Sequence, residues 1–222
     1  MPAVVVWSDI ACPWATVFVT RWQMACERAG IPFAIDHRVF PLELVNERPT
    51  PKLTLDAEIP VAGALVPDFE MRLWTGPDFE YPVTTLLALE AVQAAKEQSL
   101  AASTSLDLAL REALFADGRC ISLRHVVLDV ARLTDDVEVD ALTDALDSGR
   151  ARRRIIDDLV EAKTGKVKGS PHVFLPDGSD VHNPGITLHW EGKPGEGGYP
   201  IVDSDDVSVY DSLVSKVAGG GS

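Results

Sequence analysis

The first forty residues follow a strand–helix–strand pattern that leaves few folds open. Val4-Val5-Val6-Trp7 is a short apolar run rich in β-branched residues, as expected of a strand buried on both faces. Asp9 to Cys12 reads as a turn, and Pro13 sits where a helix starts, because its missing N–H has no partner to lose there. Apolar residues follow at helical spacing up to Ala29. Gly30 then fits a helix C-terminus, and Pro32 blocks any continuation. In Phe33 to Phe40, residues Phe33, Ile35, His37 and Val39 alternate with their neighbours, a second strand. A crossover of this length makes the two strands parallel. The chain therefore starts as an α/β protein.

Seven prolines (Pro41, Pro49, Pro51, Pro60, Pro67, Pro77 and Pro82) predict an irregular stretch over 41–83, with one short helix near Phe69–Trp74. From Thr84 to Lys163 the pattern is helical, with segments expected near 84–98, 101–116, 123–133, 138–147 and 151–163. Asp117-Gly118 and Ser148-Gly149 are stops, and Ser122 is an N-cap candidate. Arg150 to Arg154 reads as a solvated basic helix face. His172-Val173-Phe174-Leu175 is strand-like, Pro176-Asp177-Gly178 a turn, and Asp180 to Asn183 a returning partner. Gly192 to Gly198 reads as a flexible loop. A last helix is expected over 205–217, opened by Ser204 or Asp205.

A chain of 222 residues, 46% hydrophobic, suits one domain or one domain with a large insertion. A net charge of −14 disfavours binding to phosphate backbones, so no nucleic-acid partner is expected. No run reaches the roughly 20 apolar residues of a membrane span, and the N-terminus shows no secretion signal. Three cysteines, Cys12, Cys26 and Cys120, form no disulfide framework and fit a reducing cytoplasm. Ala218 to Ser222 reads as a flexible end.

Cys12 is the one candidate reactive group. A thiol just before a helix-starting proline faces unpaired N–H groups and the positive end of the helix dipole, which predicts a lowered pKa and a nucleophilic thiolate. The competing reading is a small buried hydrophobe at a strand–helix junction.

The segment Asp9-Ile10-Ala11-Cys12-Pro13-Trp14 resembles the active-site start of the DsbA family, most closely its FrnE-like branch with the motif Cys-Pro-Trp-Cys. Lys168-Gly169-Ser170-Pro171-His172-Val173-Phe174 is similar to the family's cis-proline segment, and 117–149 to the end of its helical insertion. The resemblance implies a thioredoxin fold (residues 1–57 and 165–222) interrupted by an all-helical insert (58–164). It implies that Cys12 is the nucleophile and that Pro13, Trp14, Ser170 and Pro171 bind the thiol or substrate, with the Ser170–Pro171 peptide cis. Where the family has its second cysteine, this chain has Ala15. Cys26 cannot replace it, lying about 21 Å further along the same helix at 1.5 Å per residue. Cys120 is expected to be buried and structural.

The expected function is therefore a single-cysteine thiol oxidoreductase acting through a mixed disulfide with a small thiol or a cysteine-containing protein. No cofactor is expected beyond glutathione or another low-molecular-weight thiol, and a homodimer stays open. Related kappa-class glutathione transferases and 2-hydroxychromene-2-carboxylate isomerases also lack the second cysteine, so a transferase or isomerase that binds a thiol cofactor is an alternative. A non-catalytic thioredoxin-fold binding module is another. His172, His182 and His189 match no zinc spacing, and no metal is expected, although His172 and His182 are candidates to tune Cys12. His37 is read as structural. Trp7, Trp22, Trp74 and Trp190 are read as core or cleft wall. Neither a phosphate-binding glycine loop nor a Gly-x-Ser-x-Gly elbow is present.

Overall fold

The computed structural model describes residues 3–219. β1 (Val4–Ser8), α1 (Pro13–Ala29) and β2 (Ile35–Val39) form the expected unit, with β1 and β2 parallel and Val4 opposite Ile35. α1 begins at the proline, and Gly30 ends it in the left-handed conformation (φ 65°), where a Cβ would be strained. The Ile31 N–H returns to the Cys26 carbonyl at 3.0 Å and closes the helix end.

After β2 come a short helix α2 (Leu42–Val45) and a longer one, α3 (Lys52–Leu65). Between 84 and 163 lie α4 (Leu86–Ala95), α5 (Leu100–Phe115), α6 (Arg124–Arg132), α7 (Val139–Ser148) and α8 (Arg152–Ala162). The chain returns as β3 (His172–Phe174), β4 (Asp180–His182), β5 (Ile186–Glu191), β6 (Tyr199–Asp205) and α9 (Ser208–Gly219). The main sheet has the order β2-β1-β3-β4, with β3 antiparallel to both neighbours. β5 and β6 make a separate antiparallel hairpin.

Alternation along β1 divides the packing. Val4 and Val6 meet Phe18, Trp22 and Cys26 of α1 and Tyr210 and Leu213 of α9. Val5 and Trp7 face the other side, against Phe40, Ala162 and Val167. The largest cluster joins the front of α1 to α3 through α8. Trp22 and His37 are buried core residues, and Trp7 carries the Arg38 guanidinium 4.6 Å from its ring centroid. Trp74 instead stands edge-on to Tyr81.

Several expectations are corrected. The stretch 41–83 contains α3, a helix that keeps Pro60 inside it. Pro60 lies on the exposed face, while Leu55, Ile59 and Ala62 bury the opposite stripe. The division expected at 57/58 falls inside this helix. No helix forms near 69–74. A 3-10 turn spans Pro67–Phe69, and beyond it the Arg72 N–H is tied to the Phe115 carbonyl at 2.7 Å. Ser122 does not cap α6, because its hydroxyl bonds the Thr84 carbonyl at 2.7 Å. α9 starts at Ser208, where the Asp206 side chain accepts the Ser208 N–H at 3.0 Å, and Asp205 is committed to Arg21.

The segment 192–198, expected to be a flexible loop, is the turn of the β5–β6 hairpin. Gly198 allows its close approach, since a Cβ there would stand 2.6 Å from the Gly192 backbone. The arginines of 150–154 stay at the surface, yet Arg150 and Arg152 pair with Glu97 and Glu90 at 2.7 and 3.1 Å rather than only with water. Ala218 and Gly219 end α9, and residues 220–222 of the expected flexible tail lie outside the described residues. Among the described residues no helix is long and apolar enough to cross a membrane.

Candidate functional site

The turn between β1 and α1 is held by hydrogen bonds within itself and by bonds to Leu42, Thr85, Ser170 and Arg111. The Asp9 carboxylate accepts the Ala11 N–H (2.9 Å), the Leu42 N–H (2.9 Å) and the Thr85 hydroxyl (3.1 Å). Burial nevertheless pushes its pKa up, with those donors and Arg111 opposing the shift. The Cys12 N–H bonds the Asp9 carbonyl at 3.2 Å, and the Asp9 N–H bonds the Ser170 hydroxyl at 3.0 Å.

Arg111 of α5 supports this turn from below. Its guanidinium is fully buried and donates to the carbonyls of Asp9 (3.1 Å) and Ile10 (3.3 Å) and to the hydroxyls of Thr16 (3.2 Å) and Ser8 (3.1 Å). Asp107, one helical turn earlier, pairs with it at 2.7 and 3.1 Å. Burial pushes the Asp107 carboxyl up, but the charges of Arg111 and His37 and the Arg111 hydrogen bonds together hold it below the ordinary range.

Cys12 is the N-cap of α1. Its Sγ accepts the Ala15 N–H at 3.4 Å and donates to the Ser170 carbonyl at 3.1 Å. The Ser170–Pro171 peptide is cis. Cys12 is 5% exposed, enough to open on one cleft of about 310 Å³. That cleft is walled by Trp14, Ser170, the 46–51 segment, the first turns of α3 and Pro194 at the hairpin tip. Trp14 donates its indole N–H to Glu58 Oε1 at 2.9 Å. Burial pushes Glu58 up to about 7, with that hydrogen bond opposing.

The expected lowering of the Cys12 pKa is not found. Burial drives it up to about 12, and the Glu58 charge adds to the rise. Contacts from Ser170, the Ala15 N–H and the charge of Arg111 oppose it. Removing water costs a thiolate more than one helix terminus returns, so Cys12 is a thiol at neutral pH in this closed state.

The fold thus brings together Cys12, Trp14 and Ser170, with Pro171 joined to Ser170 through the cis peptide but not itself lining the cleft. Pro13 opens α1 and does not line the cleft. His172 and His182 do not line it either. The ring of His172 accepts the Lys168 N–H at Nδ1 (3.1 Å), so its Nε2 carries the proton shared with Asp180 (2.8 Å). His189 pairs with Asp203 at 2.8 Å on the exposed hairpin. Cys26 is buried under α9, and burial raises its pKa to about 11. Cys120 is half-buried rather than buried. Among the described residues no group of three or more potential ligands is placed to hold a metal ion.

Sequence reasoning missed Glu58 and the Asp107–Arg111 pair. Glu58 lies in a stretch read as a loop. The pair carried a usable signal, an acid and a base four apart among the apolar positions Leu106, Leu110 and Leu114.

A thioredoxin-like sheet, a helical segment between β2 and β3, and a cysteine at the head of α1 beside a cis-proline define the DsbA-type fold. Three solved structures share it. A probable DsbA oxidoreductase from Streptomyces coelicolor is 21% identical, with a TM-score of 0.65 over 98% of this chain and 90% of its own. The cytosolic disulfide reductase DsbM from Pseudomonas aeruginosa, solved with GSH, is 16% identical, with a TM-score of 0.58 over 82% and 90%. A 2-hydroxychromene-2-carboxylate isomerase is 16% identical, with a TM-score of 0.60 over 81% and 88%. No family model matches the sequence, and no curated protein sequence matches it.

Proposed function

We propose that this protein performs thiol–disulfide exchange through Cys12 alone, with a small disulfide or a cysteine-containing protein as substrate. The observation that carries this is the placement of the Cys12 sulfur. It sits at a helix N-terminus, bonded to the Ser170 carbonyl next to cis-Pro171, at the floor of a cleft. Substrate entering the cleft competes for the Ser170 carbonyl and frees the thiol. The Cys12 sulfur then attacks one sulfur of the disulfide, the old S–S bond breaks, and the other half leaves as a thiol. Ala15 offers no sulfur to resolve the mixed disulfide. A second small thiol must attack it and restore Cys12, which suits a reducing compartment. Glutathione fits this role, as the DsbM structure with GSH encourages.

The test is intact-mass analysis after incubation with oxidised glutathione. One adduct that disappears in Cys12→Ser supports the reading. No adduct, or an adduct that survives in Cys12→Ser, refutes it. The proton held on Cys12 favours a second reading, in which the thiol donates a hydrogen bond to a bound thiolate, as a transferase or isomerase would need. Tight binding of reduced glutathione without any adduct would select it.

A further inference from the structure

We propose that Glu58 carries the proton of Cys12, taking it as the thiol attacks and returning it to the departing sulfur. This deepens the exchange reading above and rests on it.

The geometry supports such a transfer. Glu58 lies on α3, two turns from its start, and Trp14 lies on the first turn of α1. The indole N–H fixes one carboxylate oxygen at 2.9 Å, and Glu58 lines the same cleft as Cys12. Trp14 thereby ties the carboxylate to the helix turn that holds the sulfur. The charged or titratable side chains lining the cleft are Cys12 on α1, Glu58 on α3 and Arg48 before α3. Ser170 and Pro194, which close the remaining sides, are uncharged, and Arg111 acts from beneath the turn. Among the described residues, Glu58 is thus the one base lining the cleft besides the sulfur itself. A buried thiol surrendering its proton to bulk water would leave a bare thiolate beside a carboxylate. Passing the proton to Glu58, directly or through one water, keeps a single negative charge in the cleft throughout.

The step balances. Cys12–SH, R–S–S–R′ and the ionised Glu58 give Cys12–S–S–R, R′–S⁻ and protonated Glu58. Glu58 then protonates R′–S⁻, and R′–SH leaves. The disulfide is the only oxidant, and the carboxylate ends as it began. Because Glu58 titrates near neutrality, at about 7, it can both accept and return the proton at working pH.

The experiment is the pH dependence of adduct formation at Cys12 with oxidised glutathione, from pH 5 to 9. In the wild type, the rate rises to a plateau with an inflection near 7. In Glu58→Gln the inflection disappears, the rate climbs steadily with pH, and at pH 8 it falls by about 100-fold, the lower end for loss of a general base. Trp14→Phe removes the N–H that favours the ionised carboxylate, so the inflection moves upward. It also serves as the control should Glu58→Gln fold poorly. If Glu58→Gln reacts as fast as wild type or faster at pH 8, or Trp14→Phe leaves the inflection in place, Glu58 is no proton carrier. The exchange reading then stands, and it falls if neither wild type nor variants form the adduct, or if the adduct survives in Cys12→Ser.

Discussion

Replacing Arg111 by Met removes the support beneath the active-site turn at nearly constant volume. The lost bonds are two to the Asp107 carboxylate, two to the Asp9 and Ile10 carbonyls, and two to the hydroxyls of Thr16 and Ser8. The largest cost comes from Asp107, 3% exposed as a side chain and then left without its countercharge. Breaking a buried pair from one side costs about 3–5 kcal/mol. A chain of this size then loses roughly 6–20 °C in Tm, taking 2–4 °C per kcal/mol. Changing Asp107 to Leu as well removes the orphaned charge. The double variant recovers part of the loss, while the Ile10 carbonyl, left without its donor, keeps it below wild type by about 1–3 kcal/mol. Urea unfolding at pH 7 reads both variants. An Arg111→Met protein within about 1 kcal/mol of wild type, or a double variant no better than the single one, would refute the claim that this pair holds the turn.

Ala15→Cys places a second sulfur one helical turn from Cys12, within the roughly 4.4–6.8 Å Cα separation of disulfides. The variant should oxidise internally and discharge its own mixed disulfides, and free-thiol counting after mild oxidation checks this. Burial depresses the His37 pKa, with Asp107 opposing. Its contribution to stability is therefore complete above the unfolded value of about 6.5 and is lost as pH falls from there through the folded pKa. His37→Gln should flatten the stability–pH curve below 6.5, and an unchanged slope would contradict the assignment. Glu58 has the opposite sign. Its raised pKa costs stability as pH rises from the unfolded value through about 7. Glu58→Gln should thus be more stable than wild type at pH 8, by about 1–3 kcal/mol after allowance for partial exposure. Gly198→Ala, whose Cβ would meet hairpin backbone, should loosen the tip that carries Pro194, seen as faster protease cleavage there.

Much of the architecture was legible because its signals are local. Pro13 and Gly30 bracket α1, alternation marks β2, and the breaks at Gly118 and Gly149 separate helices that form within a residue or two of expectation. α3 is hard to see in the sequence because a proline on an exposed helix face breaks less than a count of prolines implies. Its Leu55, Ile59 and Ala62 stripe was present all along. The second hairpin strand pair was hidden by its glycine-rich turn, although Ile186, Leu188 and Trp190 alternate inward. The chemistry of Cys12 was misjudged in direction because a helix N-terminus can be read from the position of Pro13, whereas burial by α3, the hairpin tip and Ser170 cannot. Glu58 and Arg111 depend on contacts 44 and about 100 residues apart in sequence, for which no local pattern exists.

The reach of Arg111 has a consequence for the order of assembly. On the ribosome, the strand–helix–strand unit that bears Cys12 emerges well before α5, yet the Ile10 carbonyl obtains its buried donor, and the Asp9 carbonyl its second one, only from residue 111. Until then the turn has to satisfy those oxygens with water, and the sulfur beside them shares that water. The nascent thiol is therefore open to small electrophiles and disulfides, and its shielding begins when the helical segment docks. In this fold the inserted helices are set before Ser170 and Pro194 close the remaining sides, and they begin to turn a wet, reactive loop into a closed site.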